Sequence, residues 1–106
     1  MIRAVQENLA AIRSLCRRYE VRRLELIGSA ARGEDFDSAR SDVDFLVEFE
    51  PGAELGSWLS RYFEFKEDLE ALLGCGVDLV MVGAASLDSR FSHSVDEDRT
   101  LLYAAA

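Results

Sequence analysis

Residues 42–49 read Asp-Val-Asp-Phe-Leu-Val-Glu-Phe, an apolar run with two carboxylates at its start. Successive side chains of a strand point to opposite faces, so Asp42 and Asp44 share one face while Val43, Phe45 and Val47 occupy the other. The apolar set must enter a core, which turns the two acids away from it. Asp is poorly suited to strand interiors. Two on one face lie roughly 6–7 Å apart by strand rise, where unit charges repel by about 2–3 kcal/mol at an effective dielectric of 20. A magnesium ion would offset that cost, because it takes carboxylate and phosphate oxygens and, keeping several waters, needs few protein ligands.

A third acid completes the pattern. Asp78 interrupts the apolar run Val-Asp-Leu-Val-Met-Val at 77–82 as its only charged residue. If that strand lies beside residues 42–47, Asp42, Asp44 and Asp78 converge at one sheet edge. Taken singly, each is also readable as an ordinary strand-start residue, solvated or paired with Arg32 or Arg40. Upstream, Leu-Glu-Leu-Ile ends in Gly28-Ser29. A glycine there lets backbone N–H groups approach an anion closely, the serine hydroxyl adds a donor, and a following helical turn would add its N-terminal dipole. By itself such a Gly-Ser is more often a plain turn. Arg32 offers a guanidinium fork that matches phosphate oxygens, or a structural ion pair with Glu34 or Asp35.

Periodicity places these residues on elements. Val5, Leu9, Ile12, Cys16 and Tyr19 recur at helical spacing, which predicts one helix over 2–19. A strand over 22–28, a helical turn at 30–32 stopped by Gly33, and a polar loop over 33–41 follow. The strand from Asp42 ends at Pro51-Gly52. Leu55, Trp58, Leu59, Tyr62, Phe65, Leu69, Leu72 and Leu73 predict the longest helix, over 55–73, with Gly74 as its C-terminal cap. A third strand spans 76–83, and Ser86 or Ser89 could cap a last helix carrying Phe91, Val95 and Leu102. The order predicts one α/β domain over 1–106, a small mixed β-sheet packed with helices.

At 106 residues the chain has room for one two-layer core and none for a separate substrate domain. Twelve Lys and Arg against twenty Asp and Glu give a net charge of −8, which opposes direct docking on nucleic acid or an anionic membrane and favours a basic protein partner. Cys16 and Cys75 are too few for a disulfide framework and read as core thiols of a reducing, cytoplasmic setting. No apolar run approaches the roughly 18 residues a membrane span needs. His93, the one histidine, is assigned no role. Tyr62, Phe63 and Phe65, with Trp58, read as core or as an apolar patch for assembly into a homo- or hetero-oligomer.

Gly28-Ser29, Ala-Arg-Gly at 31–33, Ser-Asp-Val-Asp at 41–44 and the later Asp78 together resemble the minimal nucleotidyltransferases of the DNA polymerase β superfamily. The likeness spans residues 24–103. It implies the polymerase β-like nucleotidyltransferase fold, with Gly28 and Ser29 at the nucleotide's outer phosphates. It also implies that Asp42 and Asp44 bind two magnesium ions and that Asp78 is the third metal-site acid, able to help deprotonate an acceptor hydroxyl. The interval from Ser29 to Asp42 is longer than is usual in the family, and Ile27 stands where an aromatic residue is common. The resemblance further implies an antitoxin that moves AMP from ATP to a tyrosine of a HEPN-domain RNase toxin. A non-catalytic antitoxin acting by complex formation and an adenylyltransferase of small molecules are the alternatives.

Overall fold

The computed structural model describes residues 2–28, 42–53, 56, 59–81 and 99–105. Strand β1 (Val21–Ile27) is the spine of a four-stranded sheet. It pairs antiparallel with β2 (Val43–Phe49) on one side and with β4 (Thr100–Ala104) on the other. Strand β3 (Val77–Met81) runs parallel to β2, giving the order β3-β2-β1-β4. The sheet is mixed because the chain returns from β2 to β3 through a helix, the connection that parallel neighbours require.

The helices are α1 (Arg3–Glu7), α2 (Leu9–Arg18) and α3 (Ser60–Leu73). Val5, Ile12 and Cys16 from the first two and Phe65, Leu69 and Leu73 from α3 pack with Leu24, Leu26, Val43, Phe45 and Val47 of the sheet. The face of β2 that the alternation assigned to the core is therefore fully buried. Phe65 is clamped at its ring by Tyr19 and Phe49, with centroids 5.5 and 6.3 Å away. The acids of β2 and β3 lie on the opposite face, away from the helices.

The structure departs from the expected elements in three places. The first helix is broken at Asn8, whose backbone (φ −111°, ψ 14°) leaves the helical region while its Nδ2 donates to the Ala4 carbonyl at 2.8 Å. A short amide side chain competes with the backbone for helix carbonyls, and the apolar period runs through the break because both segments bury the same face. The long helix begins at Ser60 rather than 55, since Leu59 adopts a left-handed conformation (φ 57°) that no helix continues through. Leu102 lies in strand β4, buried at 3% exposure, and not in a closing helix. Pairing β4 against β1 satisfies an edge that would otherwise stay open, and Arg13 of α2 covers the Leu102 carbonyl from outside at 3.0 Å. The turn at 30–32, the loop at 33–41 and the expected cap and apolar positions at Ser86, Ser89, Phe91 and Val95 lie outside the described residues.

Gly74 ends α3 as expected, at φ 73°, its N–H donating to the Glu70 carbonyl at 2.8 Å. Two α3 side chains then hold the outer edge of β3. The Tyr62 hydroxyl donates to the Leu79 carbonyl at 2.5 Å, and a Glu70 carboxylate oxygen accepts from the Val77 N–H at 3.2 Å. Among the described residues no helix is long and apolar enough to cross a membrane.

Candidate active site

The parallel register of β2 and β3 places Asp44 directly opposite Asp78, between the apolar pairs Val43↔Val77 and Phe45↔Leu79. Partners in a parallel ladder lie on one face of the sheet about 4.8 Å apart, so the two carboxylates are neighbours. Asp42 comes onto the same face two residues before Asp44. It sits over the start of β3, where the Val43 N–H donates to the Gly76 carbonyl at 2.9 Å. Asp42 and Asp78 are exposed and Asp44 is half-buried. The convergence expected from the sequence is thus a consequence of two adjacent strands starting in step.

Gly28 reaches this cluster from β1. Ile27 is the register partner of Asp44, and the chain turns away at Gly28 with φ +70°, a conformation that glycine adopts without a steric cost. A Cβ at Gly28 would stand 3.3 Å from Asp44 Oδ2, so the backbone passes right against that carboxylate. Ser29 and Arg32, the other two residues assigned to phosphate, lie outside the described residues.

Burial pushes the Asp44 carboxyl above its ordinary range, and the charges of Asp78 and Asp42 push it further. Beside the acids on the same face, Ile27 and Leu46 are buried with Val80 packed against them, an apolar flank that strengthens charge interactions next to it. The thiol of Cys75 is also raised, by burial first and then by Asp42 and Glu70. It is half-buried beside the site, whereas Cys16 is the core thiol that the sequence suggests, buried and pushed up to about 12.

Two residues that the sequence reading passed over belong to this architecture. Gly76 lies under Asp42, and a Cβ there would come within 2.3 Å of Asp42 Oδ1. The sequence signal was a second glycine, after the helix-capping one, with no turn of its own to make. Glu25 is buried at 3% exposure on the site face of β1, held by Arg23 Nη2 at 2.8 Å and by Arg99 of the segment leading into β4. An acid inside Leu-Glu-Leu-Ile gives no hint of a partner so far along the chain.

The donor set suits magnesium, with three carboxylates on one face, at least one of them held in a repulsive and partly desolvated position that a cation relieves. As they stand, no three His, Cys, Asp or Glu side chains among the described residues are drawn into a closed ligand cluster. The backbone register fixes which of the carboxylates an ion would gather.

Residues 10–102 match the nucleotidyltransferase domain family. The protein adenylyltransferase MntA of Thermococcus cleftensis is 45% identical over 83 residues, 78% of this chain and 76% of that protein. A solved structure assigned as a minimal nucleotidyltransferase superposes with a TM-score of 0.69 at 34% identity, covering 93% of this chain and 94% of the other. At 20% identity the fold also recurs, with a TM-score of 0.61 over 94% of this chain and 72% of the other, in the complex of a tri-AMPylated Shewanella oneidensis HEPN toxin with its MNT antitoxin. With the family match spanning most of its length and a relative 45% identical over 78% of it, this chain belongs to the nucleotidyltransferase domain family.

Proposed function

We propose that this protein is an antitoxin that transfers AMP from ATP to a hydroxyl, that of a tyrosine, on a HEPN-domain RNase toxin. The observation that carries the reading is the Asp44–Asp78 register pair, with Asp42 and Gly28 converging on it. Relatives named for protein adenylylation, and a structural neighbour seen with an AMPylated HEPN toxin, support this substrate class.

In this reading Asp42, Asp44 and Asp78 would hold two magnesium ions, which would supply charge neutralisation at the phosphates and at the attacking oxygen. The Gly28 backbone, free of a Cβ, lets the nucleotide's phosphates approach Asp44, and Ser29 and Arg32 add donors to the outer phosphates. Asp78, exposed on the site face of β3, takes the proton from the acceptor hydroxyl. That hydroxyl oxygen bonds to the α-phosphorus as the bond to the leaving pyrophosphate breaks in line. The chain contributes position and preorganised charge, which is what phosphoryl-type transfer chiefly demands. The net charge of −8 favours a basic partner and disfavours a nucleic-acid template.

The test is transfer of label from ATP carrying a radioactive α-phosphate to a HEPN toxin. Label should appear on the toxin with wild-type protein and disappear with the Asp42→Ala, Asp44→Ala double variant. Protection from the toxin without label, retained in the double variant, would instead make this a binding antitoxin.

A further inference from the structure

We infer that Gly76 is a positioning residue for Asp42, holding open the space that its carboxylate occupies; the inference rests on the transferase reading above. A Cβ added at Gly76 would lie 2.3 Å from Asp42 Oδ1 and 3.1 Å from Cγ, whereas real Cβ atoms essentially never approach within 3.0 Å. The three nearest atoms it would meet are Oδ1, Cγ and Oδ2 of Asp42, the far end of an exposed side chain that would turn aside at little cost to the fold. Unlike Gly28, Gly52, Gly56 and Gly74, Gly76 does not have a positive φ, so its backbone makes no demand for glycine. The Gly76 carbonyl accepts from Val43 N–H, a bond any residue would make. What remains to explain the missing side chain is Asp42. Alanine would leave the β2–β3 ladder intact and move the carboxylate by roughly 1 Å to reach ordinary contact. Misplacement on that scale costs on the order of 10²-fold in a positioned reaction.

The experiment compares wild type, Gly76→Ala, Asp42→Ala and the Gly76→Ala, Asp42→Ala double variant in three measurements. These are AMP transfer to a HEPN toxin, binding of manganese alone without nucleotide, and the thermal midpoint. The inference predicts that Gly76→Ala lowers kcat at least about tenfold with the KM for ATP moving less than about threefold, and weakens manganese binding. The double variant should be no worse than Asp42→Ala, because the glycine acts only through that carboxylate. Transfer by wild type with Gly76→Ala within about twofold of it overturns the inference and leaves the proposed function standing. If wild type transfers nothing, the proposed function fails and the manganese isotherms decide the inference: weakening by Gly76→Ala supports it, and an unchanged isotherm overturns it. If Gly76→Ala alone is too unstable to assay, adding Asp42→Ala should restore the midpoint; a double variant as unstable as the single one places the clash elsewhere and overturns the inference.

Discussion

Asp44 and Asp78 face each other across the parallel β2–β3 ladder, and partial burial, with the charges of Asp78 and Asp42 added to it, raises the Asp44 carboxyl above its ordinary range. The folded state therefore keeps this proton to higher pH than the unfolded chain does. Ion-free protein should lose stability as pH rises from about 4 through the folded value, and keep that deficit at neutrality. Asp44→Asn removes the deficit. It should raise neutral-pH stability by about 0.5–1 kcal/mol, a modest figure because the group is only half-buried and solvent screens it. The gain should vanish below about pH 4. Thermal melts of both proteins across pH, without divalent ions, check this, and AMP transfer should be lost in the variant.

Gly28→Ala combines a left-handed backbone with a Cβ pressed against Asp44 Oδ2. The strain should cost about 1–2 kcal/mol. Transfer should fall more than the stability loss explains, since the added methyl occupies the approach to the phosphates. Denaturant unfolding and kcat/KM, measured on the same preparation, separate the two effects.

The sequence made the acids legible because each of them breaks a rule of its local setting. An aspartate in an apolar strand asks for a reason, and strand alternation put Asp42 and Asp44 on one face before any pairing was known. It also placed Val43, Phe45 and Val47 in the core correctly. The register that sets Asp78 opposite Asp44 was a conditional step, since strand order is a long-range property that no local pattern encodes. Leu102 shows the limit most clearly. A short apolar run such as Leu101-Leu102-Tyr103 fits a helix or a strand equally well, and only the open edge of β1 decides between them. Asn8 was missed for a related reason: a helical period of apolar residues survives a backbone break when both segments bury the same face. Gly76 was hidden because its role lies in what an absent side chain leaves room for.

Tyr62→Phe removes the donor to the Leu79 carbonyl on the outer edge of β3. It should cost about 1 kcal/mol, the net worth of such a bond. AMP transfer per folded molecule should be unchanged, because Tyr62 approaches β3 from the edge while the acids occupy the face. Urea unfolding together with initial rates tests both halves.

Glu25→Ala strips the buried carboxylate that joins Arg23 and Arg99 across the sheet. A loss of about 1.5–3 kcal/mol is expected for a charge-assisted contact of this kind. The loss should be felt first in β4, which Arg99 leads into. Amide hydrogen exchange at residues 100–104 should accelerate well before exchange in β2 does.

The central claim is that the three acids make a transferase of this fold. The most direct test is intact-mass spectrometry of a HEPN-domain toxin incubated with this protein, ATP and magnesium, beside a parallel incubation with Asp78→Ala. The account predicts a mass increase of one or more AMP residues on the toxin, abolished by chelating the magnesium and absent with the variant. An unmodified toxin bound in a stable complex, with its RNase activity blocked equally by wild type and Asp78→Ala, would contradict it.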